Sequence, residues 1–133
     1  MEHTHEYEIL VNRSKGFLKI AEYALNNGLH DLACFSAEQA VQLHIKAQLL
    51  KLIGDYPRTH HIRLLIARLL EVLPARKKST LQEYVKTNRA RLSELEDAYI
   101  MARYTTKTYT QEDAEEIVDF AKEVINKVEE IVG

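Results

Sequence analysis

Apolar side chains recur along this chain at intervals of three and four residues, the spacing that lines one face of an α-helix. Tyr7, Leu10, Val11, Ser14, Leu18, Ala21 and Leu25 make such a stripe and predict a helix over about residues 5–26, with Glu8, Lys15, Lys19 and Glu22 mostly off the stripe. Asn26-Asn27-Gly28 supplies the stop, because Gly, and Asn more than most, tolerates the left-handed conformation that ends many helices. A second helix is predicted from an N-cap at Asp31 to just before Gly54. Between Leu32 and Leu50 its only formal charges are Glu38 and Lys46. Ala33, Ala37, Ala40 and Ala47 allow close approach of neighbours, and Phe35, Val41, Leu43, Ile45, Leu49 and Leu50 fill the space around them. A helix apolar on most sides is buried on most sides, which places this one at the centre.

The segment Asp55-Tyr56-Pro57-Arg58-Thr59-His60 reads as a loop, since Pro57 lacks a donor and drives Tyr56 toward extended geometry. Thr59 is positioned to cap a third helix carrying Ile62, Leu65, Ile66, Leu69 and Leu70, which Pro74 stops; Arg76-Lys77-Lys78 follows as an exposed basic turn. A fourth helix is expected from Ser79 or Thr80 to about Ala102, with Thr80 and Glu83 at capping-box spacing. Ser93 and Glu96 repeat that spacing, so a break between residues 88 and 93 is expected. After a loop over residues 104–109, Thr110 and Asp113 open a last helix striped by Ala114, Ile117, Val118, Ala121, Val124, Ile125, Val128 and Ile131. The expected architecture is all-α: one domain over residues 1–133, an antiparallel up-and-down bundle of four to five helices.

Composition sharpens this picture. The chain has 133 residues, 46% of them hydrophobic, with four Gly and two Pro, too few for a sandwich or barrel with many tight turns. Its length suffices for a core without metal or disulfide staples. The lone cysteine, Cys34, lies in an apolar stretch and is expected to be a buried, inert thiol. The first residues show no basic region followed by an apolar run, and no stretch approaches the roughly 20 apolar residues of a membrane span. A cytoplasmic protein is expected.

Charge is unevenly spread. Residues 58–91 hold nine Lys/Arg against two Asp/Glu, whereas residues 92–133 hold four against eleven. Attraction between neighbouring helices or subunits accounts for such a split, and so does a positive face for phosphate or RNA. Arg58, Thr59, His60 and Arg63, at a helix start, would combine cations with free backbone N–H groups, a good setting for a phosphate. The structural alternative has Thr59 capping, Arg58 paired with an acid and His60 packed on a neighbouring helix. The site expected here gathers Arg58, His60, Arg103 and Tyr104 near one cleft, with Arg63 beside them, as binders of a nucleotide phosphate.

Other chemistry is sparse. His60 and His61, adjacent on a helix, would diverge by about 100° and chelate poorly. His3 and His5 fall in an N-terminus expected to fray, and His44 in a core or interface. No metal or cofactor is expected, since there is no second cysteine, no His-x3-His spacing, no phosphate-binding glycine loop and no dinucleotide fingerprint. No strand-turn-helix elbow presents Ser14, Ser36 or Cys34 as a nucleophile. Tyr56, Tyr84, Tyr99, Tyr104 and Tyr109 could stack bases, though amphipathic tyrosines also suit bundle edges.

The run from Ala33 to Ala40 (Ala-Cys-Phe-Ser-Ala-Glu-Gln-Ala), then Tyr56-Pro57-Arg58-Thr59-His60, then Tyr99-Ile100-Met101-Ala102-Arg103-Tyr104 and the capped helix from Thr110 resemble the HEPN domain (higher eukaryotes and prokaryotes nucleotide-binding) in the right order and over nearly the whole chain. The resemblance implies a helical bundle that usually dimerises and is often encoded beside a minimal nucleotidyltransferase, in two-component systems that include toxin–antitoxin pairs. It also implies that many relatives are ribonucleases with an Arg-x(4–6)-His motif. Arg103 matches the arginine, but the histidine would fall at Thr108, Tyr109 or Thr110, and none follows residue 61. Arg103 is permanently charged and a poor base, so the proton-moving group is missing.

The expectation is therefore a non-catalytic module that binds a nucleotide or a partner, the partner being a minimal nucleotidyltransferase, in a homodimer. The second and last predicted helices carry more apolar surface than one layer covers, which argues for a partner. The alternatives are a metal-independent ribonuclease with an atypical site around Arg58, His60 and Arg103, and an assembly protein with no small ligand.

Overall fold

The computed structural model describes residues 2–133, with side chains from Thr4 onward. Among these residues the chain is all-helical: α1 (Glu2–Asn26), α2 (His30–Ile53), α3 (Ile62–Val72), α4 (Ala75–Thr87), α5 (Arg89–Tyr104) and α6 (Gln111–Val132). The expected fourth helix is thus two, broken within the expected stretch. Asn88 closes α4 and precedes α5, its side-chain amide donating to the Tyr84 carbonyl at 2.9 Å. His5, expected to fray, is helical; the side chain of His3 lies outside the described residues.

α2 is the hub. It packs against α1, α3, α5 and α6, and Ala33, Ala37, Val41, Ile45 and Leu49 are fully buried along it. Small residues at the contacts bring the neighbouring helices close, and the larger ones fill the remaining volume. Cys34 is buried in the same core, and burial pushes its thiol up to about 12, so it stays protonated and inert. Gly28 and Gly54 adopt positive φ of 73° and 77° at the ends of α1 and α2, the conformation their sequence position calls for.

Caps differ from expectation in instructive ways. Asp31 does not cap α2; its Oδ1 accepts from the Tyr109 backbone N–H at 2.9 Å and pins the α5–α6 loop to the start of α2. Thr80 donates back to the Arg76 carbonyl, since the Arg76 stretch is already the first turn of α4. Ser93 and Glu96 both lie inside α5, where no new helix begins. Only the box at α6 forms as read: Thr110 Oγ1 accepts from Asp113 N at 3.0 Å, and Asp113 Oδ2 accepts from Thr110 N at 3.3 Å.

Most apolar side chains of α2 and α6 are buried within the chain, but Leu32, Leu52 and Ile53 of α2 stay exposed, at 54%, 39% and 40%. Other exposed large apolar side chains are Ile20 and Tyr23 on α1, Leu29 at the α1–α2 corner, and Leu64, Ile100 and Tyr104. No helix among the described residues is long and apolar enough to cross a membrane.

Candidate functional site

The segment between α2 and α3 carries three of the expected residues, and its shape follows from where its donors go. Thr59 Oγ1 accepts from the His61 N–H at 3.1 Å, so Thr59 closes a local turn and does not cap a helix. The cap of α3 comes from another helix. Glu96 of α5 accepts the Arg63 backbone N–H at 2.9 Å and the Arg63 guanidinium at 2.8 Å, with His61 Nδ1 at 3.6 Å. Burial drives the Glu96 carboxyl upward, but the Arg63 hydrogen bonds and charge outweigh it and hold the group below its ordinary value. A carboxylate at the start of a helix also meets the positive end of its dipole. Arg63 is therefore committed to an ion pair.

His60 and His61 precede α3, so the divergence expected of helical neighbours does not arise. Their rings lie 4.1 Å apart, and His60 stacks on Tyr99 of α5 at 4.3 Å with planes 16° apart. One turn on, Arg103 places its guanidinium 5.5 Å from the Tyr99 ring, 5.6 Å from Phe35 of α2 and 4.9 Å from Tyr104. Phe35 and Tyr99 complete the cluster at 6.1 Å. Glu96, Tyr99 and Arg103 share one face of α5 because they stand three and four residues apart. Among the described residues Arg103 faces no carboxylate within ion-pair distance, and Tyr104 beside it is 63% exposed.

Arg58 stands apart from this cluster. It lies 4.3 Å over the Tyr56 ring and 3.8 Å from Asp55, and Lys46 approaches the same ring at 5.6 Å. A groove of about 210 Å³ runs beside Tyr56, lined also by Glu6, Ile9, Leu10, Arg13 and Leu50. The five expected residues thus fall into three places: His60, Arg103 and Tyr104 around Tyr99, Arg58 on Tyr56, and Arg63 on Glu96.

Sequence reasoning passed over the residues beneath this surface. Glu38 is fully buried, its Oε1 accepting from Gln39 at 2.9 Å and its Oε2 from Gln42 at 3.0 Å. Burial pushes its carboxyl up to about 7, with Glu96 adding to the rise and Gln42, Gln39 and Lys46 opposing it. The same Gln42 amide reaches the His60 carbonyl at 3.4 Å, and its oxygen accepts from Lys46 Nζ at 2.9 Å. Phe35, Gln39, Gln42 and Lys46 recur at helical spacing, and Glu38 is the only acid in an apolar run. Those were the available signals. Among the described residues no cluster of His, Cys, Asp and Glu could hold a metal.

Chemically, the surface joins one guanidinium, one imidazole pair and several aromatic faces. Such a set can hold a phosphate by charge and a base by stacking.

A family model, that of the HEPN domain, matches residues 7–131. No curated protein matches the chain significantly. Among solved structures it resembles the TT1696 protein of Thermus thermophilus, at 26% identity over 94% of this chain and 97% of that one, with a TM-score of 0.74. It also shares its fold with an archaeal HEPN homologue, at 24% identity over 96% of this chain and 98% of that one, with a TM-score of 0.67.

Proposed function

Because the chain belongs to the HEPN domain family, we propose that it is a non-catalytic binding module whose Tyr99-centred face takes the phosphate and base of a nucleotide or of single-stranded RNA. The observation that carries this reading is the Arg103 guanidinium, in contact with three aromatic rings and facing no carboxylate among the described residues. A cation held by ring faces keeps its donors available for an incoming anion. His60 adds an imidazole stacked on Tyr99, and Tyr104 offers an open stacking surface. Arg58, apart from that face on the Tyr56 ring, is read as a separate phosphate contact, whereas Arg63 serves the fold through Glu96.

In this reading the module works in the cytoplasm as one component of a two-component system with a minimal nucleotidyltransferase. The apolar corner of Ile20, Tyr23, Leu29 and Leu32 is offered to a second copy of the chain or to that enzyme. Residues 1–133 act as a single domain.

A ribonuclease reading has one observation in its favour: His60 and Arg103 both contact the Tyr99 ring although 43 positions separate them in the chain. The experiment that decides is a titration of the purified protein with ATP and with a short single-stranded RNA, followed by amide NMR and by gel. The binding module gives shifts at His60, Tyr99, Arg103 and Tyr104 with the RNA intact. Absence of shifts at these positions overturns the proposed face. Metal-independent cleavage lost in both Arg103→Ala and His60→Ala establishes the ribonuclease instead.

A further inference from the structure

A fully buried carboxylate in the middle of an apolar helix is costly, and leucine at that position would cost less. Glu38 is such a group, and burial lifts its carboxyl to about 7. Its hydrogen bonds explain what it holds. Gln39 and Gln42 both donate to Glu38, and Lys46 in turn donates to Gln42. Glu38 accepts from both glutamines, at 2.9 and 3.0 Å. This fixes which way the Gln42 amide points: nitrogen toward Glu38, oxygen toward Lys46 Nζ at 2.9 Å. With the amide so oriented, its nitrogen also faces the His60 carbonyl at 3.4 Å. Gln42 thereby supplies a side-chain hydrogen bond from α2 to the backbone that carries His60, while Lys46 of α2 meets the Tyr56 ring of the same segment at 5.6 Å.

The geometry points to Glu38 as a positioning residue that acts through Gln42 to hold the 54–61 segment against α2, so that the His60 ring lies flat on Tyr99 and the anion-binding face is assembled before ligand arrives. The inference deepens the proposed function and rests on that reading only for its ligand; the stack itself is independent of any ligand. A neutral amide of the same shape still offers its one oxygen to Gln42, whereas an apolar side chain removes the acceptor that anchors the Gln42 nitrogen and leaves only the Lys46 and His60 contacts to hold the amide in place. The segment's other local bonds, Asp55 to the Tyr56 N–H and Thr59 to the His61 N–H, lie within the segment and do not tie it to α2.

The test uses the full chain without ligand first. In a stack at 4.3 Å the His60 ring protons sit in the shielding cone of Tyr99, and their displacement upfield from a free histidine is the readout. Gln42→Leu is expected to abolish that displacement, and Glu38→Leu likewise, while Glu38→Gln retains it because the Gln oxygen still accepts from Gln42. Should Gln42→Leu fold poorly, Gln42→Met, similar in length and without an amide, is read in the same way. A merely structural role for Glu38 would lower the melting temperature without moving the His60 ring protons. Retention of the displacement in Gln42→Leu or Gln42→Met overturns the inference, whatever the variants do to stability.

RNA enters second, as a short single-stranded oligomer. Where the wild type binds it, Gln42→Leu is expected to weaken binding about three- to tenfold, the worth of one lost stacked pair. Failure of the wild type to bind RNA overturns the proposed function and leaves the stack measurement standing. Loss of the stack with RNA affinity unchanged overturns the link between the two.

Discussion

His60 and Tyr99 lie face to face, ring centres 4.3 Å apart, although one belongs to a loop ahead of α3 and the other to the middle of α5. Their contact joins the two halves of the candidate site. On the His60 side the loop is tied to α2 by Gln42 and to α5 through His61 and Glu96. On the Tyr99 side the next turn of α5 presents Arg103. Everything proposed for this surface depends on that ring pair being formed in solution.

Tyr99 should therefore separate platform from hydroxyl. Tyr99→Phe keeps the ring and loses only the 3.5 Å contact between the Arg103 guanidinium and Tyr99 Oη, so RNA affinity should stay within about twofold of wild type. Tyr99→Leu keeps an apolar side chain at this half-buried position and removes the aromatic face. Affinity should fall about three- to tenfold, with the melting temperature nearly unchanged. Fluorescence anisotropy with a labelled oligomer measures both, and equal losses in the two variants would show that the ring face is not what the ligand meets.

Glu96 performs three tasks with one carboxylate: it caps α3, pairs with Arg63 and orients His61. Its side chain is only 8% exposed while that of Arg63 is 49% exposed, so the loss on removal comes mainly from the uncapped N–H and the freed guanidinium. Glu96→Ala should destabilise the fold by about 1–3 kcal/mol, and Glu96→Gln by less because the amide oxygen still accepts the Arg63 N–H. Chemical denaturation provides the measurement. A Glu96→Ala variant as stable as wild type would mean that α3 finds another cap.

Stability should respond to pH through two buried groups of opposite sign. Glu38 has a folded value of about 7 against an ordinary 4.5, so between these pH values the folded state holds more protons than the unfolded chain. Stability contributed by this group is thus lost as pH rises across that window. Glu38→Gln should stabilise the protein by about 1–3 kcal/mol at pH 8, and by almost nothing near pH 4, where the acid is already neutral. Burial holds His44 below its ordinary value of 6.5, with Glu129 pulling the other way. Here the unfolded chain takes the proton more readily, so stability falls as pH drops below that value, and His44→Gln should flatten the acid limb of the profile. Melting curves from pH 4 to pH 8 on both variants test the two signs separately.

How much of this was legible in the sequence depended on whether local pattern or long-range contact decides a feature. The α6 box at Thr110 and Asp113 is local, and it formed as read. The central burial of α2 follows from an apolar surface on most sides, and it too was legible. Thr59, Asp31 and Ser93 have the residue types of caps, but Thr59 closes a local turn, Asp31 meets a distant partner and Ser93 lies inside α5. Asp31 was taken by the Tyr109 backbone, 78 positions away, and the start of α3 by Glu96, 33 positions from the Arg63 it binds. No short-range rule contains those pairings. For the candidate site, residue type singled out His60, Arg103 and Tyr104, but only the packing of α3 on α5 shows that Arg63 is already paired, and only that of α2 on its neighbours brings Phe35 and Gln42 beside Tyr99 and His60.

Arg103 supports the sharpest prediction, because charge and aromatic contact make separable contributions there. Its guanidinium touches three rings and carries a full positive charge at every accessible pH. If it meets an RNA phosphate, Arg103→Ala removes one phosphate contact, and the slope of log affinity against log salt should become shallower by about 0.7, the value for one phosphate on a single strand. Arg103→Lys restores the charge as a compact ammonium that stacks less well, so its salt slope should return to wild type while affinity stays below it. The side chain is exposed and makes no ion pair among the described residues, so neither change should shift the melting temperature appreciably. Affinities measured between low and moderate salt for the three proteins decide the matter. A salt slope unchanged in Arg103→Ala would remove Arg103 from the phosphate-binding set, and with it the observation on which the proposed function chiefly stands.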